Sequence, residues 1–121
     1  MPRYVDGFVI PIRKSKLKAY LQQAKLGARV WKEYGALAYY ECVGDDLTPF
    51  PGSLGFPKMA RLRADETAVF AFIVYRSRAH RDRVNARVMK DPRMNDPAMA
   101  ANAPFDMRRF AMGGFKTIVS W

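Results

Sequence analysis

The chain has 121 residues and a formal net charge of +10, with 50% hydrophobic and 13% aromatic residues. This length predicts a single domain over residues 1–121, and the composition is typical of a globular protein rather than a disordered one. Its one cysteine, Cys42, excludes an intrachain disulfide, and one cysteine with one histidine excludes a His/Cys zinc site within one chain. No motif supports a carboxylate-only metal site, so neither a metal nor a cofactor is predicted.

The charge and the apolar runs bear on partners and location. No apolar run approaches the roughly 20 residues that a membrane-spanning helix needs, and the N-terminus lacks the features of a secretory signal. We therefore expect a cytoplasmic protein with no membrane partner. The positive charge raises the odds of an anionic partner, because a basic surface attracts polyanions over a Debye length. A well-solvated basic surface with no such partner explains the charge equally well.

The first third of the chain predicts a strand, a helix and a second strand. Residues 4–11 are rich in β-branched and aromatic residues and end at Pro11, which indicates a strand with two largely apolar faces. A helix of about five turns follows, with Ser15 as its N-cap and Gly35 as its left-handed stop. Residues 36–44 predict the second strand. The apolar stripe of the helix is predicted to contain Leu17, Tyr20, Leu21, Ala24, Ala28 and Trp31.

The middle of the chain predicts a long loop, a central strand and a second helix. Residues 44–66 contain three prolines and three glycines, and loops of this length are often functional. Residues 67–75 are apolar on both faces, which suits the centre of a sheet. Ser77 is the predicted N-cap of a helix over residues 78–90, which ends before a proline.

The end of the chain completes the topology. Residues 91–106 predict a loop with one short turn, and residues 108–121 predict a last strand with a bulge or bend at Gly113 and Gly114. The order is β-α-β-β-α-β, the ferredoxin-like arrangement of the α+β class, with a four-stranded antiparallel sheet. Because the helices cover one face and the strands are apolar on the other, a second copy of the sheet is the simplest cover, giving a symmetric homodimer.

Several stretches of this chain are similar to those of one known family. They are YVDGFV, YYECVGDD, FIVYRSRAHRDRVNARVMKDPRM and PFD…GGF. Over nearly its whole length the chain resembles the YbaA-like family of small bacterial proteins of unknown function. The resemblance implies the dimeric α/β-barrel superfamily, whose members pair two ferredoxin-like sheets and include cofactor-free monooxygenases and ligand-binding proteins. It supplies no catalytic residues, and residues 48–60 look longer and richer in Pro and Gly than the usual family stretch.

The only histidine is one of two candidate catalytic residues. In the helix over 78–90, His80, Val84 and Val88 fall on one stripe that faces the sheet. His80 either projects into a cavity between helix and sheet as a general acid or base, or it is a core histidine. In the second case it would bond to a backbone carbonyl or to a carboxylate.

Asp6 is the second candidate catalytic residue, because it lies in the middle of an apolar strand. A charge at that position must pair, shift its pKa or bind something. Asp6 is therefore either half of a structural ion pair or a catalytic base that could also orient His80. Its candidate partners are His80, Arg81, Arg108 and Arg109.

A further set of residues is predicted to bind a ligand. They are Tyr4, Glu41, Arg76, Ser77, Arg78, Arg81 and Asn85. Basic side chains around the start of the helix over 78–90 oppose the helix dipole unless an anion or a carboxylate lies nearby. A phosphate or carboxylate ligand would satisfy them, and so would Asp82 or the pair Asp65 and Glu66. Glu41 raises the same question as Asp6, less strongly because its strand is expected at an edge.

These patterns predict a homodimer in which each subunit holds a pocket between sheet and helices. The ligand is a small molecule, with an anionic one as an option, and cofactor-free oxygenation or isomerisation is the reaction class to test if the protein is an enzyme. The alternative is a basic module that contacts RNA or another polyanion non-specifically. The aromatic residues lie mainly in predicted strands or on the core stripe of the first helix, and no RNP-type, KH or helix-turn-helix signature is present, which disfavours that alternative. Cys42 is expected to be a buried structural thiol.

Overall fold

The computed structural model describes residues 2–121 and contains a four-stranded antiparallel sheet in the spatial order β2-β3-β1-β4. The strands are β1 (Tyr4–Arg13), β2 (Ala38–Val43), β3 (Glu66–Tyr75) and β4 (Ala111–Lys116). The helices are α1 (Leu17–Glu33), α2 (Phe56–Met59), α3 (Arg78–Lys90) and α4 (Pro97–Ala101), with 3-10 turns at Lys14–Lys16 and Met107–Arg109. The two long helices, α1 and α3, cover one face of the sheet, so the predicted ferredoxin-like fold is confirmed.

β1 continues past its predicted end and includes Pro11. A proline is tolerated there because the N–H that it lacks would point away from β3. Ala68 lies opposite Pro11, and its carbonyl accepts a hydrogen bond from Gly44 on the far side of β3. The polar groups at this pair therefore point out of the β1–β3 ladder. On the other side of β1, pairing with β4 extends only to Val9, so no ladder bond is lost at Pro11.

Gly113 and Gly114 stay in regular register with β1, so the predicted bulge is wrong. Two aromatic rings explain why Gly114 of β4 and Gly7 of β1 are small. A Cβ on Gly114 would lie 2.8 Å from Cε2 of Tyr4. The ring of Phe115 lies over Gly7 of β1, 3.3 Å from where a Cβ would stand. The glycines thus provide room for side chains from the neighbouring strand and do not bend β4.

α1 begins without the predicted Ser15 cap. Ser15 lies in a 3-10 turn in which the N–H of Leu17 bonds to the carbonyl of Lys14, so the chain passes from strand to helix without an intervening N-cap. The helix stops as predicted, because Gly35 has a φ of 105°. Leu21, expected in the apolar stripe, is 49% exposed. The buried residues of α1 are Tyr20, Ala24, Gly27 and Val30.

α3 begins and ends where the sequence predicts. Ser77 caps it by accepting a hydrogen bond of 3.1 Å from the N–H of His80. His80, Val84 and Val88 are all buried and face the sheet, which confirms the predicted stripe. One core cluster, beside α3, contains Val30, Ile73, Tyr75, Val84 and Val88. A second, beneath α1, contains Ile10, Ile12, Tyr20, Ala24, Val69 and Ala71.

Both long connections contain a short helix, which the sequence predicts as a short turn in residues 91–106 and does not predict in residues 44–66. The loop over 44–66 contains α2, and the loop over 91–106 contains α4, which Asp96 caps by accepting a hydrogen bond of 2.9 Å from the N–H of Ala98. The last strand occupies six residues rather than the predicted 108–121. Among residues 2–121, no helix combines the length and the apolar character needed to cross a bilayer.

The face of the sheet away from α1 and α3, here called the open face, has no charged residue and is exposed over most of its area. It consists of positions 5, 7, 9 and 11 of β1, 38, 40 and 42 of β2, 68, 70, 72 and 74 of β3, and 111, 113 and 115 of β4. At one end of it Pro11 and Ala68 are buried, and the ring of Phe56 of α2 lies against Phe70. Tyr40, Phe70 and Phe115 are 54%, 47% and 60% exposed. Cys42 also lies on this face and is exposed, so the expectation of a buried thiol is wrong for the single chain.

Replacing Gly114 tests the packing of β4 on β1. Gly114→Ala should lower the free energy of unfolding by about 1–3 kcal/mol, because the methyl group displaces the ring of Tyr4. That ring lies 4.9 Å from the guanidinium carbon of Arg81, so its displacement also disturbs a contact with α3. In the control Gly113→Ala the new Cβ would stand 3.6 Å from its nearest neighbour, an ordinary contact. Urea denaturation of both variants measures the difference, and equal losses would contradict the role assigned to Gly114.

Candidate functional site

A cavity of about 490 Å³ lies between α1, the helix-covered face of the sheet and a segment that follows α3. This segment, residues 91–110, is called the cover segment below. The sheet contributes Phe8, Ile10, Tyr39, Glu41, Ala71 and Ile73, α1 contributes Tyr20, Gln23, Ala24, Gly27 and Trp31, and the cover segment contributes residues from Met94 to Phe110. The lining is mostly aromatic and aliphatic, as is usual for small-molecule sites.

The cavity exists because small residues face each other across it. Ala24 and Gly27 of α1 lie opposite the sheet, where β3 presents Ala71. A Cβ on Gly27 would lie 2.7 Å from the hydroxyl of Tyr39, so glycine allows that phenol to rest against the helix. The signal for this space in the sequence is a pair of small residues, Ala24 and Gly27, on the buried face of a helix.

Glu41 is fixed in the cavity by two tyrosines. The hydroxyl of Tyr20 donates to Oε1 at 2.6 Å, and the hydroxyl of Tyr39 donates to Oε2 at 2.7 Å. Burial, strengthened by the adjacent carboxylate, raises the pKa of both phenols well above its usual range. Both phenols therefore remain donors. An ionised carboxylate accepts about four hydrogen bonds, so Glu41 keeps acceptor capacity for a bound molecule.

The charge of the lining is negative. Within the part of the chain that the structure describes, no lysine or arginine lines this cavity, whereas Glu41 and Asp96 do. An anionic group would lie near a carboxylate with no cation to offset the repulsion. Of the predicted ligand-binding residues, Glu41 lines this cavity and the others lie elsewhere.

Four of the predicted site residues form a cluster between β1 and α3. Asp6 is 1% exposed, and its Oδ1 accepts a hydrogen bond of 2.7 Å from Nη1 of Arg81. Its Oδ2 accepts a bond of 3.2 Å from Nδ2 of Asn85. The guanidinium of Arg81 also stacks over the ring of Tyr4. Arg81 is thus the partner of Asp6 among the candidates that the sequence offered.

The cluster extends to the wall of the cavity through Asn85. Its Oδ1 accepts hydrogen bonds from Nε1 of Trp31 and from the hydroxyl of Tyr75, each at 3.0 Å. Trp31 lines the cavity, so the buried carboxylate of Asp6 orients that wall through one intervening amide. Burial raises the pKa of Tyr75, which therefore stays a donor to Asn85.

His80 lies outside the cavity lining, in the core beside Tyr75. Its Nδ1 accepts a hydrogen bond of 3.0 Å from the backbone N–H of Arg76. The prediction that His80 donates to a backbone carbonyl or to a carboxylate is therefore wrong, because its Nδ1 accepts a hydrogen bond from a backbone N–H instead. Burial, with the charges of Arg76 and Arg83, lowers the pKa of His80 below its ordinary 6.5. Catalytic roles for His80 and for Asp6 remain predictions.

The arginines at the start of α3 differ in their contacts. Arg81 pairs with Asp82 at 2.8 Å as well as with Asp6. Arg76 and Arg78 are exposed, and neither side chain forms an ion pair within residues 2–121. Asp82 is thus the acidic neighbour that partly offsets this cluster of positive charge.

Glu66 and Arg109 fix the far end of the cover segment to β3. Two guanidinium nitrogens of Arg109 donate to the two carboxylate oxygens of Glu66 at 2.7 and 2.8 Å. These bonds lower the pKa of Glu66 to about 2. Asp65, its neighbour, lies 3.8 Å from Arg13. The alternative in which Asp65 and Glu66 pair with the arginines of α3 is therefore wrong.

Asp91 fixes the near end of the cover segment. It accepts hydrogen bonds from the hydroxyl of Tyr34 at 2.7 Å and from Nη2 of Arg93 at 2.8 Å. Arg93 also bonds to Glu33 of α1 at 2.7 Å. Arg93 chiefly, with Tyr34, holds the pKa of Asp91 well below its usual range. The cover segment is thus pinned at both ends by carboxylate–arginine pairs.

The depressed pKa of His80 predicts a specific pH dependence of stability. As pH falls below about 6.5, the unfolded chain binds a proton before the folded one, so wild type loses stability at up to about 1.4 kcal/mol per pH unit. His80→Asn lacks this loss. The gap in unfolding free energy between wild type and the variant should therefore shrink between about pH 7 and pH 5. Urea denaturation across this range measures the gap, and a constant gap would contradict the burial of a neutral imidazole.

Comparison with known proteins identifies the family. The family profile described as "Protein of unknown function (DUF1428)" matches residues 3–107. Relatives named uncharacterized protein YbaA, from Escherichia coli strain K12 and from Shigella flexneri, are each 37% identical over 117 residues, 97% of this chain and 97% of theirs.

Two solved structures share the fold at low sequence identity. A dimeric ferredoxin-like protein from an uncultured marine organism matches with a TM-score of 0.68 and 10% identity, over 100% of both chains. A nipsnap family protein with unknown function from Agrobacterium tumefaciens matches with a TM-score of 0.60 and 15% identity, over 96% of this chain and 88% of that one. Together with the sequence matches, which confirm the predicted resemblance, they lead to one conclusion: the chain belongs to the DUF1428 family, is a relative of YbaA, and has a ferredoxin-like fold.

Proposed function

We propose that the protein binds a small, mostly apolar molecule in the cavity beneath the cover segment, and that Glu41 accepts a hydrogen bond from it. The cavity volume of about 490 Å³ falls within the range of small-molecule sites. The observation that carries the proposal is the carboxylate of Glu41, which is held by neutral donors in an otherwise apolar space. One fixed polar group in an apolar pocket orients a ligand and selects its chemistry.

The surroundings of Glu41 differ from those of the buried acids that support the fold. Asp6, Glu66 and Asp91 each bond to an arginine. Glu41 has two phenols and, within residues 2–121, no ion-pair partner. A carboxylate placed only for stability would gain more from a cation at that position. The arrangement favours a ligand that brings its own donor, such as a hydroxyl or an amine.

If the protein is an enzyme, Glu41 is the residue to test first. A carboxylate within hydrogen-bond reach of a bound hydroxyl or of an acidic C–H can accept its proton, which leaves Glu41 neutral and the negative charge on the bound molecule. Tyr20 and Tyr39 donate their hydroxyls to Glu41 and so fix the position of this base. Such proton transfer is a step of isomerisation, one of the two reaction classes that the sequence suggests. Glu41 thereby takes precedence over His80 and Asp6, which do not line the cavity.

Filling the cavity tests the proposal directly. The probe is N-phenyl-1-naphthylamine, a neutral apolar fluorophore with one N–H donor. Wild type should bind it, and Ala24→Phe should weaken binding about tenfold or more, because the new ring occupies the space between α1 and β3. Leu21→Phe is the matched control, since it adds a ring to the same helix outside the cavity. Fluorescence titration measures both dissociation constants.

Two further variants distinguish weaker binding from loss of the folded structure. Ala100→Phe places a ring at the exposed rim of the cavity, where it should weaken binding without lowering the melting temperature. Glu41→Gln should weaken binding by about 1 kcal/mol, the typical contribution of one hydrogen bond. If the Ala24, Ala100 and Leu21 variants all bind the probe as wild type does, the cavity is not the site.

We also propose that a second copy of the chain covers the open face. The face is apolar, aromatic and uncharged, which suits burial against an identical surface. The description of one fold neighbour as dimeric supports this. RNA is the competing occupant, because some four-stranded sheets stack bases on exposed aromatics. RNA also requires cations for its phosphates, and no position of the open face is lysine or arginine.

A charge on the open face should separate the two copies. Phe70→Asp is expected to yield a monomer, because it buries an unpaired carboxylate at the centre of the interface. Leu21→Asp is the control, since Leu21 is 49% exposed against 47% for Phe70 but lies on the helical side. Light scattering after size exclusion measures the mass. The contrary result is a wild type that is monomeric and binds single-stranded RNA at about 50 mM salt, with the Phe70→Asp variant no longer binding it. That result would support RNA as the occupant of the open face instead.

A further inference from the structure

A second cavity of about 300 Å³ lies at the end of the sheet where β1 stops and β3 starts. Its charged lining residues are Arg13, Lys16, Arg63, Glu66, Asp106 and Arg109. Four of these six are basic, whereas the first cavity has no basic residue in its lining among residues 2–121. The two cavities therefore differ in the sign of their charge.

The acids of this second cavity leave part of its positive charge unpaired. Glu66 is bonded to Arg109, and Asp106 is bonded to Arg108, which lies outside the lining. Within residues 2–121, the side chains of Lys16 and Arg63 form no ion pair. Such a pair of cations in a recess suits a carboxylate or phosphate group, since guanidinium and ammonium donate strong hydrogen bonds to both.

The two cavities adjoin each other. Ala103 and Phe105 of the cover segment line both of them. The ring of Phe105 packs against Tyr20 and Phe110, with centroids 5.9 and 5.3 Å away. A molecule that extends past Phe105 would therefore occupy an acidic, mostly apolar space at one end and a basic space at the other. Glu41 repels an anion and the cations attract it, so only one orientation is favoured.

We propose that the ligand of the first cavity is an amphiphile whose anionic end, a carboxylate or a phosphate, is bound in the second cavity by Lys16 and Arg63. This rests on the proposed function, because the apolar body of the same molecule occupies the first cavity. It also reconciles an anionic ligand, which the sequence offers as one option, with the acidic first cavity. The anion binds beside Lys16 at the start of α1, and not at the arginines that open α3.

A series of ten-carbon compounds tests the proposal. The 10-hydroxy derivatives of decanol, decanoate and decyl phosphate share an apolar body whose far hydroxyl can donate to Glu41, and they differ at the other end. Each is titrated by calorimetry at about pH 8, at concentrations below micelle formation. The two anions should bind about tenfold more tightly than the neutral diol. The double substitution Lys16→Gln with Arg63→Gln should remove that advantage and leave the affinity for the diol unchanged. The ratio of the two anion affinities identifies the preferred head group.

The matched control removes two charges elsewhere. Lys18→Gln with Arg87→Gln alters exposed residues outside both cavities, so the anions should keep their advantage. If the control and the test variant lose the same amount of anion affinity, the anions are attracted to the basic protein as a whole and not to the second cavity. That result would overturn the inference. Binding of the diol with no anion advantage would also overturn it while leaving the proposed function intact. Binding of none of the three compounds would count against the proposed function itself.

Discussion

The buried carboxylate of Asp6 is the contact on which the placement of both long helices depends. Asp6 lies on β1, and its carboxylate accepts hydrogen bonds from Arg81 and Asn85 of α3. Asn85 in turn accepts from Trp31 of α1 and Tyr75 of β3. Burying an ion costs several kcal/mol unless its partners are complete, so the network holds these four elements in one arrangement. Trp31 is also a wall of the first cavity, and the position of that wall follows from the network.

The acids of the chain fall into two groups with different consequences. Asp6, Glu66 and Asp91 are bonded to arginines. Glu66 attaches one end of the cover segment to β3, and Asp91 attaches the other end by accepting a hydrogen bond from Tyr34. Glu41 is bonded to neutral phenols and faces the space that the cover segment encloses. The molecule thus leaves two apolar surfaces incompletely filled, one beneath the cover segment and one on the open face. The proposals above assign a small ligand to the first and a second copy of the chain to the second.

The fold follows from local patterns, because strand alternation, Gly35 and the Ser77 cap each act within a few residues of sequence. The site follows from contacts that no local pattern contains. The importance of Glu41 depends on Tyr20, which is 21 positions away and reaches it only once α1 packs on β2. The role of Gly114 escapes local patterns for the same reason, since the ring that requires a glycine there belongs to Tyr4 of β1. The helical period predicts that His80 lies on the buried stripe, and it does. Its hydrogen-bond donor, the backbone N–H of Arg76, is positioned by the turn before α3, which the period does not describe.

The claim that the first cavity is a binding site is tested most directly by methyl NMR with N-phenyl-1-naphthylamine. The chain has four isoleucines. Ile10 and Ile73 line the first cavity, Ile12 lines the second, and Ile118 lies in the exposed C-terminal tail. Saturable shifts of the δ1 methyl signals of Ile10 and Ile73, with Ile118 unchanged, are the predicted result. Shifts at Ile118 with none at Ile10 and Ile73 would contradict the account.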